Sequence, residues 1–277
     1  MPWTDDAIMV SVTQDTRRTL LLEVFTKMRG RCKLQVLLEG AKIPPLYPGC
    51  TLRLTQQDAG FGETPIAELH GATGGLENAD TNVNGMTVLH ALRKMLEAFL
   101  PLFEPARNVY KAASQMIPAL RDEDSRWPLH YLTWEMEILS TLGHAGSLER
   151  CKSAFKHGET IYISPRTGRA ASRAEAGAFL DQMIPVPGFF MGKEMASGPE
   201  IRQGHEMTTM LFHNFALKEA GIKQMPGERA QVLEMIDEIS GNAIFRDGAS
   251  GDFDEDAYRR RLLSMRKLKV AERSTGM

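Results

Sequence analysis

Cysteine is scarce in this sequence: Cys32, Cys50 and Cys151 are the only three in 277 residues. Their odd number and wide spacing give no disulfide framework, so a reducing, cytoplasmic (nucleoid-associated) setting is expected. No run approaches the roughly eighteen consecutive apolar residues of a membrane-spanning helix, and no membrane partner is expected. The opening Met1-Pro2-Trp3-Thr4-Asp5-Asp6 lacks the basic stretch and apolar run of a secretory signal. There is no GxxxxGK[ST] loop to cradle nucleotide phosphates, no GxGxxG after a strand and no GxSxG elbow. His70, His90, His130, His144, His157, His205 and His213 form no HExxH or HxxxH pair, and Cys151 has no second cysteine within reach. A metal site is therefore not expected. Carboxylates are plentiful, but Asp252, Asp254, Glu255 and Asp256 lie in a glycine-rich tail where nothing would position a catalytic pair. Neither enzymatic activity nor a cofactor is expected.

The formal net charge of −2 hides an uneven distribution. From Arg17 to Arg53 lie Arg17, Arg18, Lys27, Arg29, Arg31, Lys33, Lys42 and Arg53, opposed only by Glu23 and Glu39, a local excess of six positive charges. Acidic stretches, Asp5-Asp6 and Glu63 to Glu68, flank it. Release of counter-ions from a nucleic acid responds to the patch that meets phosphate rather than to the global sum. The stripe fits two readings, a solvated strand face and a surface that tracks a phosphate backbone.

Hydrophobic periodicity divides the chain. Strands are predicted over Ala7–Val12, Thr19–Thr26, Lys33–Leu38, Thr51–Thr55 and Pro65–Leu69, separated by turn signals such as Arg29-Gly30-Arg31 and Gly60-Phe61-Gly62. Five short strands with no room for crossover helices predict an antiparallel β-barrel, of which the OB-fold is the commonest kind. From about residue 84 the period becomes helical: Met86, Val88, Leu89, Leu92, Met95, Leu96 and Phe99 form one stripe, stopped before Pro101. Further helices are predicted over 104–120 and 128–142, from Ser197 to about Glu219, and from Pro226 to about Ile239. Ser172/Glu175 and Ser197/Glu200 are capping boxes, the first opening a short helix to about Ile184. The Gly/Asn-rich interval 71–85 is the natural boundary. The expected class is thus α+β in two domains: an OB-fold barrel over 1–80, an all-α helical domain over 81–240, and a polar extension over 241–277. That extension carries a second basic block, Arg259 to Arg261 and Arg266 to Lys269. Phe25 and Tyr47 could stack on bases if exposed, although burial is the expectation for both. Phe189-Phe190 is expected to anchor its loop in the helical core, and the stripe Met207, Met210, Leu211 to be plain core.

Several strings, in order, resemble the RecO family of DNA repair proteins. Trp3 to Val10 resembles its first strand after an acidic start, and Leu22 to Arg31 its second strand and basic glycine turn. Leu46-Tyr47-Pro48-Gly49 is similar to the entry to its fourth strand, and Leu148-Glu149-Arg150-Cys151 to an "LxRC" element. Ile161 to Arg173 closely resembles the "YVSPKSGRAVSR" segment of alphaproteobacterial members. Arg202 to Leu217 and Met225 to Arg229 follow the terminal helix pair. The resemblance implies an OB-fold and a helical domain with no catalytic site. It also implies binding of single- and double-stranded DNA, annealing of complementary strands, and partnership with RecR and the C-terminal tail of single-stranded DNA-binding protein in loading RecA at gaps. An alternative is an interaction scaffold of the same lineage with weak or no DNA binding. Many relatives hold zinc on two cysteine pairs in the region of 148–175; only Cys151 is present here, so no structural zinc is expected. The expected DNA contacts are the Arg17–Arg53 stripe together with Arg166, Arg169 and Arg173.

Overall fold

Buried and exposed residues alternate along much of the first seventy positions, and a sheet curled on itself encloses the apolar face. The computed structural model describes residues 2–38, 43–57, 64–145 and 148–242. β1 (Trp3–Thr16), β2 (Thr19–Thr26), β3 (Gly30–Leu37), β4 (Thr51–Gln56) and β5 (Ala67–Thr73) pair antiparallel in the order β3-β2-β1-β4-β5. The two ends of this sheet meet where Gln35 bridges Ile66 in parallel and the Gln35 N–H donates to the Pro65 carbonyl at 2.8 Å. Closing strand three on strand five makes the sheet an OB-fold barrel. Its interior is filled by Ala7, Met9, Leu22, Val24, Cys32, Leu34, Val36, Cys50, Leu52, Leu54 and Ala67.

Period two sends the neighbouring residues outward, and on β1 and β2 some of those are also apolar. Ile8 and Phe25 are fully buried, not in the barrel but in the helical core. Their cover is α1 (Val83–Phe99) and α2 (Arg107–Arg121); the Phe25 and Tyr110 rings lie 5.8 Å apart. Phe25 is therefore an anchor between barrel and helices, while Tyr47 is half-buried. A bulge between Met9 and Ser11 lets β1 serve both cores.

Behind α1 and α2 follow α3 (Trp127–Thr141), α4 (Leu148–Lys156), a small sheet of β6 (Ile161–Ile163), β7 (Ala170–Ser172) and β8 (Ile184–Pro185), then α6 (Gly198–Leu211), α7 (Leu217–Glu219) and α8 (Gly227–Asn242). α5 (Arg173–Ala176) sits between β7 and β8. Both expected capping boxes are formed, by Ser172 with Glu175 and by Ser197 with Glu200. The helical half thus contains a three-stranded sheet, with α4 before it, where the periodicity shows only loop. The helix opened at Ser172 stops after four residues, since Gly177 takes φ +49° and the chain tightens into a 3₁₀ helix over Gly177–Gln182. The long helix expected after Ser197 widens into a π segment at Phe212–Ala216. There Asn214 donates to the Pro165 carbonyl at 2.9 Å and Phe215 stacks on His144, so the widened turn seats the β6–β7 hairpin. Phe189, Phe190, Met207 and Leu211 are buried in the helical core as expected.

Among the described residues, the helical core has a charged centre. Glu135 on α3 is fully buried and receives two bonds from the Arg229 guanidinium of α8, at 2.7 and 2.9 Å. Thr208 of α6 donates to the same carboxylate at 2.7 Å. A paired, hydrogen-bonded charge can be tolerated at such depth where a lone one cannot. The carboxylate holds the Arg229 pKa above its ordinary value against the opposing effect of burial.

Candidate nucleic-acid interface

The turn between β2 and β3 is held from below. The Asp5 carboxylate accepts the Met28 N–H at 2.6 Å, the Thr26 hydroxyl accepts the Arg29 N–H at 2.9 Å, and the Lys27 N–H donates to the Asp6 carbonyl at 3.0 Å. With its backbone fixed, the turn presents Lys27, Met28 and Arg29 to solvent. The Arg29 guanidinium lies 5.9 Å from the Trp3 ring, a cation–π distance. Arg31 follows on β3, partly buried, and its Nε is buried without a hydrogen-bond partner.

The register decides which of the expected cations are available. Lys33 lies opposite Glu23 and pairs with it at 3.4 Å; Arg53 lies opposite Asp6 and pairs with it at 2.9 Å. Lys27, Arg29 and Arg31 have no carboxylate partner among the described residues. Arg17 and Arg18 occupy the β1–β2 turn at the other end of β2. Eight extended residues separate the two turns, on the order of 25 Å. The stripe of the linear count thus falls into cations at two separate turns and two cations that lie opposite carboxylates. Lys42 lies outside the described residues, as do the turn at 60–62 and the basic block beyond 258.

Glu23 also ties the barrel to the helices. Arg93 of α1 donates to it at 2.6 Å, and this bond, aided by Lys33, holds the Glu23 pKa below its ordinary value. In the helical half, Arg166 and Arg169 are exposed in the β6–β7 hairpin, and Arg173 is exposed at the first position of α5. That helix is only four residues long, and Ser172 and Glu175 take up its capping bonds, so these cations would act through their side chains alone.

Residues 148–175 do not fit a zinc. Cys151 is buried on α4, burial raises its thiol pKa, and no three metal-ligating side chains cluster among the described residues. No helix among them is long and apolar enough to cross a membrane.

Two neighbours of the turn carry no periodic signal. Trp3 sits at the strand start, and Leu102-Phe103 follows the proline that stops α1. Their only trace in the sequence is apolar residues where no helical or strand stripe needs them.

An OB-fold barrel anchored on a helical domain, with cations beside one barrel turn that have no carboxylate partner among the described residues, defines the class of protein. Comparison with known proteins narrows it. The family described as recombination protein O, C terminal, matches residues 81–214. A protein of Cereibacter sphaeroides named DNA repair protein RecO is 32% identical over 244 residues, covering 85% of this chain and 98% of its own. Its namesake in Roseobacter denitrificans is 30% identical over 243 residues, covering 84% and 98%. The one in Sinorhizobium medicae is 27% identical over 220 residues, covering 77% and 86%. The chain belongs to the RecO family, which places it in DNA repair and recombination.

Proposed function

We propose that this protein is a non-catalytic recombination mediator that binds single- and double-stranded DNA and anneals complementary strands. The observation that carries the reading is the β2–β3 turn and the start of β3, where Lys27, Arg29 and Arg31 have no carboxylate partner among the described residues and the turn backbone is pinned. Arg17, Arg18, Arg166, Arg169 and Arg173 are the further contacts of this reading, while Lys33 and Arg53 face carboxylates, Glu23 and Asp6, that compete with phosphate for them. Annealing requires that two polyanions be brought together, and a surface that replaces their counter-ions does this without a cofactor.

In this reading the protein works beside RecR, loads RecA at gaps and engages the C-terminal tail of single-stranded DNA-binding protein. An exposed aromatic, Phe179, lies six residues after Arg173 in the 3₁₀ helix Gly177–Gln182, so an acidic peptide would find a cation and an apolar contact close together in the chain.

The test is annealing of two complementary oligonucleotides carrying a fluorescence pair, at about 50 mM salt. The protein should accelerate annealing, and the triple variant Lys27→Gln/Arg29→Gln/Arg31→Gln should lose most of the acceleration. Absence of DNA binding and annealing in a protein that still binds the tail peptide would overturn the reading in favour of an interaction scaffold.

A further inference from the structure

The loop after α1 does something the helical core does not ask of it. Phe99 and Leu100 complete the buried stripe, and the next two apolar residues turn outward: Leu102 is 41% exposed and Phe103 47% exposed. Phe103 does so at φ +62°, a left-handed conformation uncommon for a bulky side chain. Such a backbone persists only where its surroundings hold it. Here the Phe103 N–H donates to the Arg31 carbonyl at 2.9 Å, and Leu102 bridges Arg31 in parallel. Gly30 makes the approach possible: a Cβ there would lie 1.8 Å from the Glu104 carbonyl oxygen. A half-exposed phenyl ring and two exposed aliphatic chains, Leu102 and Met28, are thereby fixed beside Lys27, Arg29 and Arg31.

We propose that Phe103, carried on the Pro101–Glu104 loop, is a base-stacking platform that gives the β2–β3 turn a preference for single-stranded DNA. The proposal rests on DNA binding at that turn and adds what the cations cannot supply. Phosphates are common to one strand and two, whereas base faces are free only in a single strand. The occupant follows from charge. Glu104 is the exposed carboxylate of the loop itself, against Lys27, Arg29, Arg31 and the exposed Arg107 that opens α2. Asp5 is buried under the turn and Asp6 is paired with Arg53. The buried Nε of Arg31 has no hydrogen-bond partner among the described residues. An exposed ring beside a net cationic, rigid edge suits a polyanion with π-faces.

Fluorescence anisotropy with a labelled poly-dT oligonucleotide and with a duplex of equal length tests this in the full chain. Phe103→Ala should weaken single-strand binding by about 5- to 150-fold. Duplex binding should stay within about twofold, and the dependence of log K on log salt should not change, since no charge is removed. Phe103→Trp should retain single-strand affinity, and the thermal melt of both variants should match the parent. A Phe103→Ala protein that binds the single strand within about twofold of the parent overturns the platform. Equal weakening on single strand and duplex overturns it too, because the loop would then only shape the turn. If the parent binds neither, the DNA-binding reading itself fails; if it binds both and Phe103 is silent, only the platform does.

Discussion

Arg93 reaches from α1 to Glu23 on β2 and meets its carboxylate at 2.6 Å, across the seam where the barrel rests on the helices. Glu23 is at the same time the partner of Lys33, so one carboxylate fastens barrel to helices and is shared by two cations. Its pKa is lowered chiefly by the Arg93 bond. A carboxylate with a depressed folded-state pKa adds stability that is fully present above its unfolded value of 4.5 and is lost as pH falls through the folded value. Glu23→Gln should therefore reduce stability at pH 7 by about 1 kcal/mol, a figure kept low because both side chains are partly exposed. Urea midpoints at pH 7 and pH 3 check this: the gap between parent and variant should be smaller at pH 3 than at pH 7. A gap of the same size at both would show that the charge is not what matters.

Arg229 and Glu135 should behave differently from any surface pair. Removing one partner leaves the other charged and buried, so Arg229→Met should cost about 3–5 kcal/mol in denaturant unfolding. The double variant Glu135→Leu/Arg229→Met should recover much of that loss. A double variant as unstable as the single one would indicate that packing rather than unpaired charge dominates.

Gly30→Ala should destabilise the seam by roughly 2 kcal/mol or more, through both its φ of +69° and the clash with the Glu104 carbonyl. Limited proteolysis should then cut near 101–105, where the parent resists. Unchanged melting temperature and cleavage would contradict the docking of that loop.

How far this molecule can be read before folding depends on which interactions are periodic. β2 runs over Thr19–Thr26 as alternation predicts, and both capping boxes form, because these signals are local. β6, β7 and β8 have three, three and two residues, too few for a period to show, and they form because the π turn and the hairpin hold them. The same limit applies to charge. Eight cations against two anions is a correct count from Arg17 to Arg53, yet it cannot separate Arg31 from Lys33. Pairing of Lys33 with Glu23 follows from the three-residue turn between β2 and β3, which sets their register. Pairing of Arg53 with Asp6 needs two strands forty-seven residues apart to meet, and no local pattern carries it. Phe25 illustrates the remaining gap: its place on a strand is legible, but its burial against Tyr110 depends on where a helix eighty residues later comes to rest.

The central claim is that the cations of the β2–β3 turn, and not all the cations of the barrel, meet DNA. It is tested most directly by the salt dependence of single-strand binding, followed by anisotropy from about 50 to 200 mM salt. Loss of Lys27, Arg29 and Arg31 together should flatten the slope of log K against log salt by about 2, at roughly 0.7 per phosphate contact. Loss of Lys33 and Arg53 should leave that slope nearly unchanged. Equal flattening by both sets would contradict the claim, and so would a parent protein that binds no DNA at the lowest salt.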